Sequence, residues 1–485
     1  MNKIVNHVRK FGHSFKPSPT LLLFSRQHKW RGFFSNGVKS IFLLILITLF
    51  IASFSKNANS DVPKRILLII MDGARYDYCT PETMPNLFSF MKEAMIFQKA
   101  YSPSSWTLPS HASLFTGLYP QQHGAFKLPY SVNTDVTTDT KRRFKEEINI
   151  DNVSISQEAI TLADILRAAG YQTLGVFGNP CYGYPIFNLG KGFDTWVNVV
   201  ENKLKKTSAK YRGFYSFDYE VGGKFYTVIP NASEVAAEVA AVLQAADQEK
   251  PIFLFINFED PIATPFYFPP HERQAVIDDY KSHLRESMKR IDDLLPLILF
   301  FFRDGLIIVT SDHGQGDGTK FKATAHGTSL HHFQTKIPLF IHNFNPKNLA
   351  VDKAIDLTNV MDIILEATGL EYPSKNILFR PDVPIAFSHD DPRPASPIGK
   401  VASFSICANQ CQLILERTSD GFIKQLYRDQ GSEAGIFDDL LQIEKTLSEM
   451  ILPFRKLERV FTKTERYRKL DEKNTEMLKS LGYIE

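Results

Sequence analysis

Cysteine is scarce in this chain: Cys79, Cys181, Cys407 and Cys411 are the only four in 485 residues. That count excludes a disulfide-scaffolded fold, and without a Cys-x-x-Cys spacing a thiolate zinc knuckle is excluded as well. Cys407 and Cys411 either pair with each other or remain thiols. No internal repeat and no low-complexity tract is present, which excludes a solenoid and a disordered scaffold. Acidic residues are absent from the first 40 positions, which carry eight Lys/Arg; the remainder holds 48 basic against 53 acidic residues. No basic stripe is left outside the N-terminus, so a nucleic-acid partner is excluded.

Apolar runs long enough to span a bilayer are also nearly absent. A spanning helix needs roughly 20 residues, with about 17 as a lower limit. The run Ile41–Phe54, extended over Gly37-Val38 with Lys39 snorkelling, just reaches that length. We therefore expect a transmembrane anchor at residues 38–55. The basic leader, residues 1–37, would be cytoplasmic by the positive-inside rule, and everything beyond the anchor extracytoplasmic, periplasmic or extracellular. Ala58-Asn59-Ser60 leaves a cleaved signal peptide as the alternative.

Beyond a linker at residues 56–64, apolar runs alternate with amphipathic stretches. Strands are expected at 65–71, 173–179, 252–258, 306–310 and 337–341. Helices are expected at 85–94, 160–169, 233–246 and, as one long element, 278–299. Residues 126–158 are polar and read as a surface excursion. This order predicts an α/β fold, a layered domain over residues 65–380 around a mostly parallel central sheet. Residues 381–485 read as a small C-terminal α+β subdomain, charged and helical after 433.

Two of the apolar runs end abruptly in chemistry. Ile66–Met71 leads into Asp72-Gly73, and Leu306–Thr310 leads into Ser311-Asp312-His313-Gly314. Open α/β sheets place ligands at the carboxyl ends of their strands. A third segment, Ser104-Ser105-Trp106-Thr107-Leu108-Pro109-Ser110-His111, reads as a turn entering a helix, so Thr107 would lie near a helix N-terminus that favours an anion. A threonine hydroxyl is a weak nucleophile unless a divalent cation lowers its pKa. Asp72, Thr107, Asp312 and His313 are the expected ligands of one such ion. Their mixed oxygen and nitrogen donors suit Zn²⁺ or Mn²⁺, with Ca²⁺ as the alternative.

The succession Asp72-Gly73, the Thr107 segment, Asp260-Pro261, Ser311-Asp312-His313-Gly314 and His326-Gly327 resembles the sulfatase branch of the alkaline phosphatase superfamily. The resemblance runs from about 65 to 345, with an echo at Leu478–Tyr483. It implies a sulfatase-like fold and an ester substrate, phosphate or sulfate; the expected anchor adds a lipid- or envelope-linked substrate as a hypothesis. Sulfatases carry Cys or Ser in a C/S-x-P-x-R pattern that is oxidised to formylglycine. Here those positions are Thr107, Leu108, Pro109, Ser110 and His111. Family members with threonine there cleave or transfer phosphoryl groups through a phosphothreonine. The resemblance assigns Thr107 as nucleophile and His326 as a group on the leaving-group side, acting as general acid, or on a non-bridging oxygen. Asn179, His111 and Asp260 become substrate contacts. A second metal would need a histidine near Asp260, yet Ile262 and Thr264 occupy the matching places, so one ion is expected. A sulfate ester hydrolase and a non-catalytic binding protein on the same fold stand as alternatives. Oligomeric state is not legible.

Overall fold

Apolar runs with a two-residue period build one seven-stranded sheet. Its strands, in chain order, are β1 (Arg65–Met71), β2 (Met95–Ile96), β3 (Gln172–Phe177), β4 (Thr195–Asn198), β5 (Ile252–Phe258), β6 (Leu306–Thr310) and β7 (Leu339–His342). They lie in the spatial order β2-β7-β6-β1-β5-β3-β4. The five strands from β6 to β4 run parallel, while β7 and β2 are antiparallel to their neighbours. The computed structural model describes most of residues 62–372 (not 132–146, 212–217, 261–278, 317–325, 346–350 or a few shorter stretches), and beyond them strands between 385 and 469. The leader and the anchor at 38–55 lie outside the described residues. Among the described residues no helix is long and apolar enough to cross a membrane.

Two helical layers cover the sheet, and β1 shows why. Ile66, Leu68 and Ile70 belong to a core shared with the helices Thr107–Thr116, Leu162–Ala168 and Thr358–Thr368. Leu67, Ile69 and Met71 belong to a second core, shared with Pro85–Phe90, Ala232–Ala245, Tyr280–Asp292 and Leu295–Phe301. All six side chains are fully buried, each worth roughly 1.5–3 kcal/mol relative to exposure. Helix starts follow local chemistry. Asn231 accepts from the Glu234 amide and the Glu234 carboxylate accepts from the Asn231 amide, and Thr161 and Asp164 form the same reciprocal box.

Four expectations are corrected. The helix expected over 278–299 is two helices, because Pro296, in the first turn of Leu295–Phe301, offers no N–H to a continuing ladder. The strand expected at 337–341 divides between Lys336–Ile337, which pairs with Ala100–Tyr101, and the sheet strand β7. Within the stretch read as a surface excursion, Val153 and Ile155 are buried in the first core, and Glu147–Asn149 pairs with Tyr467–Lys469. That last pairing also puts a strand where charged helix was expected. In the C-terminal region, five strands between Ile385 and Glu433 form an antiparallel sheet; the helices expected after 433 lie outside the described residues, as do the side chains of Cys407 and Cys411.

Candidate metal centre and nucleophile

Strand parity decides which side chains reach the site. Successive residues of a strand point to opposite faces. Past the end of β1, Asp72 continues the series Ile66, Leu68, Ile70, on the side of the Thr107 helix. In β6, Leu306 and Ile308 face that side and Asp312 continues their series; in β5, Phe253 and Phe255 lead to Asn257 and Glu259; in β3, Phe177 leads to Asn179. The register places the ends level, with Ile70 opposite both Thr310 and Asn257, and Asn257 opposite Phe177.

Local backbone then fixes the two aspartates. Gly73 takes φ +68°, the left-handed region that glycine enters without strain. Its N–H donates to Asp312 Oδ1 at 3.0 Å, and the His313 N–H donates to the same oxygen at 2.9 Å. Asp72 Oδ2 accepts from Asn179 Nδ2 and Asn257 Nδ2, both at 3.1 Å. Each carboxylate is thus held by one oxygen. The other oxygen of each, Asp72 Oδ1 and Asp312 Oδ2, is buried with no hydrogen-bond donor.

His313 completes the set. Its Nδ1 lies 2.9 Å from the Gly314 carbonyl, which can only accept, so Nδ1 carries the proton and the lone pair sits on Nε2. That nitrogen stands 3.2 Å from Thr107 Oγ1, 3.3 Å from Asp312 Oδ2 and 3.6 Å from Asp72 Oδ1. Two carboxylate oxygens without donors, an imidazole lone pair and an alcohol therefore converge in a fully buried place. Leaving such oxygens unpaired is costly, and one cation would satisfy both. Donors bound tetrahedrally at about 2.0–2.2 Å lie about 3.3–3.6 Å from one another, and the three spacings from His313 Nε2 are close to that range.

His111 also falls within ligand spacing, with ligand atoms of Asp72, His111 and Asp312 within 4.8 Å of one another. Its Nδ1 stands 3.4 Å from Asp312 Oδ2, yet each nitrogen has a nearer partner. Nδ1 lies 3.0 Å from the Thr107 carbonyl and Nε2 lies 3.3 Å from Asn257 Nδ2. His313, whose Nε2 faces both carboxylate oxygens, is the better placed imidazole for a cation.

Burial governs the ionisation of the cluster. It pushes the Asp72 and Asp312 carboxyls up to about 7, with the charge of Asp312 adding to the effect at Asp72. Glu259 is raised well above the carboxylate range by burial and then by the charge of Asp72. Burial lowers His313, and takes His111 down to about 3. These directions describe a site without its ion; a bound divalent charge would reverse those of the acids.

The remaining expected residues divide. His326 is at the site, its ring stacked on His313 at 4.6 Å between centroids, with Nδ1 2.9 Å from Gln315 Oε1. Asn179 is there too, but as a support: besides Asp72 it donates to Glu259 Oε2 at 2.9 Å, and it is 3% exposed. His111, expected at the substrate, is fully buried behind Thr107 among Phe115, Phe177 and Phe255. Asp260 is not brought to the site. Its parity follows Phe258 to the opposite face, where it meets the Ala232 N–H and, at 3.1 Å, the Arg290 guanidinium. Arg75 pairs with Asp77 at 2.6 Å and donates to the Gln315 carbonyl, tying down the loop after His313.

Sequence reasoning passed over Asn257, Glu259 and Gln315. For Asn257 a signal existed: it is the one polar residue in β5, and it stands next to the carboxyl end of a strand buried along its whole length.

Comparison with known proteins bears on this geometry. The Sulfatase family model matches residues 64–370. The chain belongs to the sulfatase family. It is similar to bis(5'-adenosyl)-triphosphatase ENPP4 of Bos taurus, 22% identical over 289 residues, 58% of this chain and 54% of that one. The Homo sapiens counterpart is 20% identical, with 75% of this chain and 70% of that one covered. The chain thus spans about half the length of the bovine relative. Among solved structures, the phosphonate monoester hydrolase of Silicibacter pomeroyi matches with TM-score 0.57 at 14% identity, covering 84% of this chain and all of that one. A 2-O GAG sulfatase matches with TM-score 0.56 at 13% identity, covering 82% and 94%. At such identities the structural likeness supports the fold. The expected α/β sulfatase-like architecture is thereby shown.

Proposed function

We propose that this sulfatase-family chain cleaves phosphate esters through a covalent phospho-Thr107, with one zinc or manganese ion held by Asp72, Thr107, Asp312 and His313. The observation that carries this reading is the threonine hydroxyl 3.2 Å from His313 Nε2, beside two carboxylate oxygens that have no donor. Threonine argues against sulfatase chemistry of the formylglycine kind, because oxidation of a secondary alcohol stops at a ketone. The names of two matched proteins, a triphosphatase and a phosphonate hydrolase, point the same way.

A divalent ion bound there would lower the pKa of the Thr107 hydroxyl and offset charge on the phosphoryl oxygens. Thr107 Oγ1 forms the new bond to phosphorus in line with the departing oxygen, whose bond breaks. The N-terminus of Thr107–Thr116, which has no side-chain cap, stabilises negative charge beside it. Gln315 Oε1 accepts the His326 Nδ1–H, so Nε2 is the nitrogen that, in the imidazolium form, passes a proton to the leaving oxygen. Water or an acceptor hydroxyl then takes the phosphoryl group from Thr107. We further propose that residues 38–55 anchor the domain outside the cytoplasm, where a lipid- or envelope-linked ester is within reach.

The test is turnover by the purified chain, stripped with EDTA and reloaded with Zn²⁺ or Mn²⁺, of p-nitrophenyl phosphate, bis-p-nitrophenyl phosphate and p-nitrophenyl sulfate. Metal-dependent release from a phosphate ester, absent in Thr107→Ala, is expected. Sulfate turnover that survives Thr107→Ala overturns the nucleophile. A chain that takes up no metal supports the non-catalytic alternative.

A further inference from the structure

His111 faces neither solvent nor substrate, yet both of its nitrogens have directed partners. The Thr107 carbonyl can only accept, so His111 Nδ1, 3.0 Å away, carries the proton. Nε2 is left with a lone pair, and the group opposite it is a donor, Asn257 Nδ2 at 3.3 Å. The orientation of the Asn257 amide is fixed independently. Its Oδ1 accepts the Asn179 backbone N–H at 3.0 Å, and its Nδ2 donates to Asp72 Oδ2 at 3.1 Å. The directions agree along the whole path: Asp72 carboxylate, Asn257 amide, His111 imidazole, Thr107 carbonyl. The path joins the backbone of the nucleophile to the carboxylate that must present Oδ1 to the ion. Phe177 and Phe255, with ring centroids 5.3 and 6.0 Å away, hold the imidazole in place from the sheet side.

We propose that His111 is a positioning residue whose Nδ1–H tautomer braces Thr107 against Asp72 through Asn257. It thereby sets the spacing between the nucleophile and the metal ligand. This inference rests on the reading of Asp72 and Thr107 as parts of one metal centre. An imidazole is suited to the place because it presents a donor and an acceptor on opposite sides of a rigid ring. A charged arginine in the same position would have only donors, and would set N–H against N–H at Asn257.

The brace is tested by Zn²⁺ affinity of the full chain, measured by competition with a chromophoric chelator and without substrate, in wild type, His111→Leu and His111→Gln. Losing a group that orients a ligand costs about 10- to 100-fold in metal affinity. His111→Leu should show a loss of that size. His111→Gln, whose side-chain oxygen can accept from Asn257, should recover most of it. For phosphate ester turnover, His111→Leu should lower kcat and leave KM nearly unchanged. Long-range ¹⁵N–¹H spectra of the ¹⁵N-histidine-labelled wild type should contain an Nδ1–H imidazole signal that His111→Gln removes; this holds even if His111→Leu does not fold. Equal Zn²⁺ affinity in wild type and His111→Leu, or an Nε2–H signal removed by His111→Gln, overturns the brace alone. Wild type that binds no Zn²⁺ overturns the metal centre and the brace together. Zn²⁺-dependent sulfate turnover with the affinity losses intact leaves the brace standing and removes the phosphate reading.

Discussion

The hydroxyl oxygen of Thr107 lies 3.2 Å from Nε2 of His313, a residue 206 positions away. Thr107 is the first helical residue and Trp106 holds the cap position, so the Thr107 hydroxyl is not the cap of this helix. The side chain is committed instead to the ligand cluster. Thr107→Ala should therefore lower phosphate ester turnover by roughly a thousandfold or more, the scale of losing a nucleophile. Thr107→Ser should retain measurable activity. Acid quench during turnover, followed by peptide mass spectrometry, should find one phosphoryl group on the peptide holding Thr107 in wild type and none in Thr107→Ala.

The buried acids predict how the metal-free protein responds to pH. Burial puts Asp72 and Asp312 at about 7 in the folded chain, against roughly 4 in an unfolded one. Between those values the folded state holds protons that the unfolded state has released. Stability is therefore greatest below about pH 4 for this term and is lost as pH rises towards 7. EDTA-treated protein should lose several degrees of Tm between pH 5 and 8. Asp312→Asn should flatten that slope. Saturating Zn²⁺ should raise Tm most at the high-pH end, because ligands must be deprotonated to bind. Scanning calorimetry with and without the ion reads all three.

Much of this architecture is legible in the chain. β1 and β5, apolar but for Arg65 and Asn257, have their expected limits, and the chemistry sits at the ends of such runs. That Asp72, Asp312, His313 and Thr107 come together was readable, because a carboxylate or imidazole ending an apolar strand has few structural uses. Counting parity past the strand end would have gone further: it assigns Asn257 and Glu259 to the site and Asp260 to the opposite face. His111 was readable as present but not as turned inward. A helical period says which residues share a face, but the Thr107–Thr116 helix is buried all round, so no polar face marks an outside. Pro296 was a visible break inside an otherwise continuous helical pattern.

Asp260 provides a separation of stability from activity. Its side chain is 7% exposed, accepts the Ala232 N–H at the start of the helix Ala232–Ala245, and pairs with Arg290. A carboxylate there complements the helix dipole and satisfies one of its first donors. Asp260→Ala should cost about 1–2 kcal/mol in urea unfolding. Zn²⁺ affinity, kcat and KM should stay at wild-type values. A kcat loss with unchanged stability would return Asp260 to the substrate.

Gly314 links backbone packing to the candidate metal centre. A Cβ built on it would lie 2.2 Å from the Phe333 carbonyl oxygen, a backbone atom that cannot swing aside. The Gly314 N–H also donates to the Gln334 carbonyl at 2.9 Å, and the Gly314 carbonyl receives the His313 Nδ1 proton. Any shift that relieves the clash therefore moves the group that orients the imidazole ligand. Gly314→Ala should cost about 1–3 kcal/mol, as overpacking does, and should weaken Zn²⁺ binding by about tenfold or more. Gly369 provides the contrast. It takes φ +67° at the end of the helix Thr358–Thr368, and a Cβ there would meet nothing within 4 Å. Gly369→Ala should lower stability through backbone strain alone, with Zn²⁺ affinity untouched. Parallel unfolding and Zn²⁺ titrations of the two variants separate these effects, and equal Zn²⁺ affinities would disconnect the Gly314 turn from the ligand cluster.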